Sequence, residues 1–410
     1  MHTPNTLLVA RPIALLFVPA LGAPADAQGF QTPGMPGSAP TGQTDQFSNE
    51  FNPAFSFVID ALIDYVDFAE DSEEDGATLS LAAVEFQASA WIDPSAWAYA
   101  TIVAAEDEFG VEEAAVHYVG FDNNMTLRAG QFFVDFGKQM QAHLHELPYV
   151  GRPLVLREYL GEELAGTGVQ FDDWFAAGGE GAIRFSLGAF ASLANPVGLG
   201  REGTESDAFP TTQDRTEFGE LSFTGRLTGF MDVGAQGVLQ MGASGRFLPD
   251  FSFETEDGLS EEGLSNAVWG VDLTYGITDV TGLTGWTFGA EGLLSTGDLS
   301  AAVDDGGTPG DPGDDSLSVL DEDAFGYYLW IQRDLSRWHE AGFLFSKAER
   351  PELGLPEDAE YSLYYTRHLS EFHRLRLQLG WFDSDVESDA VALTLQYTAI
   401  VGPHAHGISW

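Results

Sequence analysis

From residue 54 to residue 401 the chain is written in runs of roughly 10–15 residues in which apolar side chains alternate one for one with small or polar ones. Period two is the signature of a strand, because successive side chains of an extended backbone point to opposite faces. In the first run Phe55, Phe57, Ile59, Ala61, Ile63 and Tyr65 share a face, and Ser56, Asp60 and Asp64 lie on the other, with Val58 and Leu62 as exceptions. The pattern recurs with Trp269, Val271, Leu273 and Tyr275 opposite Asp272 and Thr274, and with Leu375, Leu377, Leu379 and Trp381 opposite Arg374, Arg376 and Gln378. Sixteen runs are delimited, at 54–69, 77–92, 95–106, 112–121, 125–138, 167–176, 180–194, 217–231, 235–248, 265–277, 283–296, 323–334, 339–348, 359–368, 373–383 and 389–401. Their connections alternate in length. Asp93-Pro94-Ser95, Phe121 to Asn124, Ala177 to Glu180, Asp232 to Ala235, Leu335 to Arg337 and Leu369 to Glu371 are short, whereas 139–166, 196–216, 249–263, 297–322 and 349–358 are long. A soluble sandwich has no cause to alternate loop length in this way, but a membrane barrel has short turns at one rim and long loops at the other. The pattern predicts an all-β, sixteen-stranded antiparallel transmembrane β-barrel with apolar side chains toward lipid and polar ones toward the lumen.

Charge placement fits that frame. Lys and Arg total 17 against 64 Asp and Glu, a formal charge of −47. So acidic a chain is no nucleic-acid binder, since phosphate neutralisation needs a basic surface. The acids gather on the long-loop side, at Glu70 to Asp75, Glu106 to Glu108, Glu254 to Asp257, Asp304-Asp305 and Asp311 to Asp323. Trp91, Trp97, Trp174, Phe175, Trp338 and Trp381 fall near strand ends, where an interfacial aromatic girdle belongs. Cysteine is absent, which excludes disulfides and thiolate metal sites. No stretch approaches the ~20 uninterrupted apolar residues of a membrane helix.

Residues 1–27 read as an export signal: Arg11, an apolar stretch from Ile13 to Ala23, and Ala25-Asp26-Ala27 at the cleavage position. Residues 28–50, rich in Pro, Gly, Ser, Thr and Gln, read as a flexible periplasmic linker. The barrel is expected over 51–403 and a tail over 404–410, with Pro403 breaking the last strand before the final Trp410.

Leu127-Arg-Ala-Gly-Gln-Phe-Phe-Val-Asp-Phe-Gly137 resembles bacterial outer-membrane porins of the phosphate-selective type, which carry a comparable glycine, aromatic and Phe-Gly strand before a long loop. Asn52-Pro53-Ala54-Phe55-Ser56 is similar to the start of that barrel. The resemblance implies residence in the bacterial outer membrane, contact with its lipid, folding by the barrel-assembly machinery, and a homotrimer as the oligomer to test. It also implies that one long loop folds inward and narrows the pore.

No G-x-S-x-G, P-loop or H-E-x-x-H occurs, so no catalytic residue is assigned and no cofactor is implied. The charged residues on the lumen phase are the pore-lining candidates: Asp60, Asp64, Glu85, Arg128, Arg184, Arg226, Arg246, Asp272, Glu291, Arg374 and Arg376. A charge facing lipid at mid-depth would cost ~2–4 kcal/mol, so any arginine on such a strand must point in. A sharper reading makes them an arginine ladder across the pore from the carboxylates. In the loop 139–166, His143, His145 and Glu146 are a candidate metal set, because imidazole and carboxylate together suit Zn or Cu. The expected function is passive diffusion of small polar solutes or ions through a porin-like channel, and not catalysis. The alternatives are a specific outer-membrane uptake protein for a metal or for an anion such as phosphate, and a soluble secreted β-sandwich or adhesin.

Overall fold

The computed structural model describes residues 53–69, 75–105, 109–178, 181–193, 208–211, 220–255, 259–304, 316–351, 354–385 and 388–402. The export signal, the linker and the tail expected from the sequence lie outside the described residues. In chain order the strands are β1 (Ala54–Phe68), β2 (Gly76–Asp93), β3 (Ala96–Ala104), β4 (Phe109–Tyr118), β5 (Thr126–Phe133), β6 (Ala165–Ala176), β7 (Ala182–Leu193), β8 (Ala208–Thr211) and β9 (Ser222–Val233). They continue as β10 (Gly237–Thr255), β11 (Ser260–Thr278), β12 (Gly285–Asp304), β13 (Ser316–Asp321), β14 (Ala324–Ser336), β15 (His339–Glu349), β16 (Glu357–His368), β17 (His373–Ser384) and β18 (Ala390–Val401). Every pairing is antiparallel, and β1 pairs with both β2 and β18, so the sheet closes on itself. The short β8 and β13 add to the long-loop rim, against β10 and β12. The other sixteen strands form the barrel wall. Closure leaves no strand edge, which is the condition for crossing lipid with strands. No helix among the described residues is long and apolar enough to span a membrane.

The two faces separate as the alternation requires. Phe57, Ile63, Trp269, Val271, Leu377 and Leu393 are exposed on the outside, while Asp60, Asp272, Thr274, Arg376 and Thr394 are buried inside. Trp97 is a correction: it is only 3% exposed, points inward and stacks on His117 at 4.2 Å, so it belongs to no girdle. Two long loops are corrected as well. Where irregular connections were expected at 249–263 and 297–322, β10 and β11 continue as a hairpin through Thr255 and Ser260, and β12 runs on to Asp304 against β13. This raised wall carries Phe251, Phe253 and Leu299 on its inner side, all buried.

The lumen is occupied by the segment that follows β5. The expected strand 125–138 ends at Phe133, and the chain turns into the barrel as residues 134–164, carrying a 3-10 turn at Leu144–Glu146 and a short helix, α1, at Leu154–Leu160. Gly137 sits at the turn with φ +56, a left-handed conformation that costs a side-chain-bearing residue. A β-carbon there would also fall 1.9 Å from Glu291 Oε1. Apolar residues of this segment (Val134, Phe136, Met140, Tyr149, Leu154, Leu156) form one buried cluster with Phe132, Phe190, Phe253, Tyr328 and Leu344 of the wall. Instead of an evenly water-filled barrel, the segment packs against the inner wall and leaves a cavity of about 360 Å³ on the short-turn side.

Candidate functional site: the inward segment and the charged inner wall

The segment is tied to the wall by polar contacts around much of its circumference. The Gly137 amide donates to Ser244 Oγ at 3.0 Å, and Lys138 Nζ donates to Gln240 Oε1 at 2.8 Å. On another side Arg376 donates to the carbonyls of Leu147 and Tyr149 at 2.8 and 3.1 Å, and the Val150 amide donates to Gln378 Oε1 at 2.8 Å. At the start of α1 the Leu154 amide and the Arg157 guanidinium both reach Glu360 Oε2, and the Val155 amide donates to Ser346 Oγ at 3.1 Å. These amides have no partner within the helix, so wall acceptors satisfy them. Arg152 gathers the segment onto itself by donating to the carbonyls of Gln139, Ala142 and Glu162.

All the charged residues assigned to the lumen phase lie inside the barrel. Arg226 pairs with Asp272, at 2.6 and 3.0 Å. Arg184 pairs with Asp172 and, at 2.8 Å, with Asp135. Arg128 donates to Gln170 and to the Phe133 carbonyl and lies over the Phe132 ring, while Arg246 donates to Asn266. Asp60 accepts from Gln396 and Thr398, and Asp64 accepts from Thr394. Glu291 accepts from Tyr328. Of the ladder drawn from the sequence, Arg226 and Asp272 meet directly, while Arg184, Arg128, Asp60 and Asp64 are satisfied by residues that were not singled out. Asp135 is the main omission. It sits in the inward segment, bridges Arg184 and Arg226, and accepts from Ser186 Oγ at 2.7 Å.

The turn-side cavity has walls of both signs, with Lys138, Arg374, Arg376, His368 and His373 against Asp334, Glu340 and Glu371. Burial and the nearby Arg226 lower Lys138 to about 8, with Asp272 opposing them.

The histidines of the segment do not form the set expected of them. Glu146 turns back and accepts the His143 amide at 3.1 Å, as in a helix-start capping contact. His143 instead faces the wall. Its Nδ1 lies 3.2 Å from Glu112 Oε2 and 3.5 Å from Glu85 Oε2, and its Nε2 lies 3.3 Å from Glu113 Oε2. His145 Nδ1 donates to the other Glu85 oxygen at 2.8 Å. Burial opposes a charge on the His143 ring, but Glu85 and Glu112 outweigh it and hold the ring well above its ordinary range. Burial and the neighbouring His143 push His145 the other way.

Glu112 and Glu113 are consecutive, yet both carboxylates reach the His143 ring. The reason is a β-bulge. In the pairing of β3 with β4, Thr101 opposes Glu113 and Ile102 opposes Val111, which leaves Glu112 as the extra residue. The sequence carries a trace of this slip, since the outward apolar positions pass from odd-numbered Phe109 and Val111 to even-numbered Val116 and Tyr118. Beginning that run at 112 placed the slip at its edge and hid it.

No family model matches the chain. It is 27% identical over 332 residues to an uncharacterized protein of Aquifex aeolicus, covering 76% of this chain and 66% of that one. It therefore spans just under two thirds of that relative's length. Among solved structures it is similar to OprB of Pseudomonas putida (TM-score 0.56, 12% identity, 88% of this chain and 96% of that one). It is also similar to an OmpT loop-deletion mutant, an outer membrane protein of Vibrio cholerae (0.53, 10%, 86% and 100%). A third is the outer membrane channel DcaP of Acinetobacter baumannii (0.51, 12%, 84% and 96%). At these identities the likeness is one of fold: the chain has the architecture of a sixteen-stranded outer-membrane β-barrel.

Proposed function

We propose that this chain is a porin-like channel of the bacterial outer membrane that passes small polar solutes or ions by diffusion, constricted by residues 134–164. The carrying observation is the pairing of an outward apolar band with an inward charged wall to which that segment is bonded. A lipid-facing exterior demands a membrane. An interior lined by Asp, Glu and Arg suits hydrated cargo. DcaP, a fold relative, is described as an outer membrane channel, which supports the same reading. Lipid contact, machinery-assisted assembly and a trimer are parts of this proposal.

The paired arginines bear on selectivity. Arg184 and Arg226 face carboxylates at contact distance, so their fields are largely cancelled. The acid-rich long-loop rim then dominates, and we favour cation preference over the anion or phosphate selectivity that the sequence resemblance suggests. Single-channel recording in a planar bilayer under a KCl gradient tests both points. Discrete conductance steps with a cation-selective reversal potential are expected. A mature chain that stays soluble without detergent and gives no conductance overturns the channel reading, and an anion-selective potential at low salt overturns the selectivity.

A further inference from the structure

The cluster around His143 has more order than solvation of a buried histidine requires. Three elements supply it: β2 gives Glu85, the bulge of β4 gives Glu112 and Glu113, and the inward segment gives His143 and His145. His143 is 3% exposed, and its Nδ1 makes no hydrogen bond of acceptable direction although two carboxylate oxygens stand within 3.5 Å. Three ligand atoms, one each from Glu85, Glu112 and His143, lie within 4.8 Å of one another. In a tetrahedral site with bonds of about 2.0–2.1 Å, ligand atoms stand about 3.3 Å apart. The separations of 3.2 and 3.5 Å from Nδ1 already match that edge.

The surrounding groups take the supporting parts such a site needs. A ligating histidine generally gives its other ring N–H to a carboxylate, which fixes tautomer and ring plane. Here Nε2 lies 3.3 Å from Glu113 Oε2, within reach of that role after a small carboxylate shift. Glu113 is itself locked, its Oε1 accepting from Tyr99 Oη at 2.9 Å and from the Phe133 amide at 3.0 Å. Glu85 is oriented by His145 on its second oxygen. Glu163, near the far end of the segment, is within electrostatic reach of Glu112. Arg128 is within electrostatic reach of Glu113, and Arg152 of Glu112.

We propose that Glu85, Glu112 and His143 form a binding site for a divalent transition-metal ion of the zinc type, with Glu113 orienting the histidine, and that the bound ion pins the inward segment to the wall at β2 and β4. Mixed imidazole and carboxylate donors favour zinc-like ions over calcium or magnesium, which prefer oxygen alone. The proposal differs from the set of His143, His145 and Glu146 expected from sequence, since Glu146 is engaged with the His143 amide, His145 with Glu85, and two wall carboxylates take their places.

The test is calorimetric titration of ZnCl2 into the chelator-stripped, detergent-folded full chain. Wild type is compared with His143→Asn, with Glu112→Gln, and with a tail variant carrying His404→Ala and His406→Ala. Heat-modifiable gel mobility certifies that each variant is folded. One Zn2+ per chain is expected in wild type and in the tail variant, with affinity at least tenfold weaker in His143→Asn and Glu112→Gln. Co2+ should give the intense visible absorption of a four-coordinate site in wild type and lose it in His143→Asn. Absence of saturable binding in wild type, unchanged affinity in both folded ligand variants, or binding that vanishes with the tail histidines overturns the proposal. Conductance of the metal-free wild type reports on the channel reading independently.

Discussion

At Gly137 the backbone itself carries the decision to leave the wall. Its φ of +56 is open to glycine and strained for other residues, by about 1–3 kcal/mol. Gly137→Ala is therefore expected to loosen the start of the inward segment while leaving the barrel closed. Single-channel records should show more open-channel noise and larger mean conductance than wild type; a trace indistinguishable from wild type would mean the turn does not position the segment. The next residue sets a pH response. With its pKa lowered to about 8, Lys138 is charged at pH 7 and mostly neutral at pH 9, so the lumen loses positive charge as pH rises. Cation preference should increase over that interval. Lys138→Arg keeps the charge among the same neighbours, Arg226, Asp272, Glu291 and Gln240, and should abolish the step in reversal potential. A step that persists in the arginine variant would assign the titration elsewhere. Residue-level legibility was uneven for a physical reason. Direction along a strand follows from parity, so Glu85, Arg226 and Asp272 could be placed inside from sequence. Partnership depends on which strands face each other across the lumen, so Asp135 between Arg184 and Arg226 could not.

Among the elements, the strands were the legible part, because lipid and lumen impose opposite demands on neighbouring residues. On β17 this contrast is direct: Leu377 is 46% exposed to the outside and Gln378 is 8% exposed within. Leu377→Arg would place a charge in lipid at a cost of ~2–4 kcal/mol, whereas Gln378→Arg faces the lumen beside Val150. The first variant should assemble poorly by heat-modifiable mobility and the second nearly as well as wild type. Equal behaviour would mean the register of β17 is wrong. Elements were misread where apolar alternation persists for another cause. Val134 and Phe136 continue the rhythm of β5, but they are buried in protein inside the barrel, so the pattern ran past the true end at Phe133. Phe251 and Phe253 do the same on the raised wall of β10, where acidic neighbours suggested a loop and a hairpin stands.

For the whole molecule, 64 acidic residues stand against 17 basic ones, and on the proposed reading the acid clusters of the long connections would gather counter-cations at that rim. Asp71, Glu73 and Glu74 lie outside the described residues, between β1 and β2. Changing them to Asn, Gln and Gln should lower cation preference at low salt. The difference should fade as ionic strength rises and the screening length shrinks to ~8–10 Å or less. No change at low salt would place selectivity in the lumen rather than at the mouth. The inward segment has a further consequence, and it is mechanical. The wall is a single sheet bent into a shell, and such a shell yields to flattening far more readily than to stretching. Residues 134–164 leave the wall beside β5, are bonded to β10, reach β15, β16 and β17, and rejoin the wall at β6. Bonded at several points around the wall, they are placed like spokes within a rim, where they would resist flattening of the cross-section. The part that narrows the passage would thus also stiffen it, and a shortened segment is expected to give a wider pore in a softer wall, read as higher conductance with a lower temperature of loss of heat-modifiable mobility.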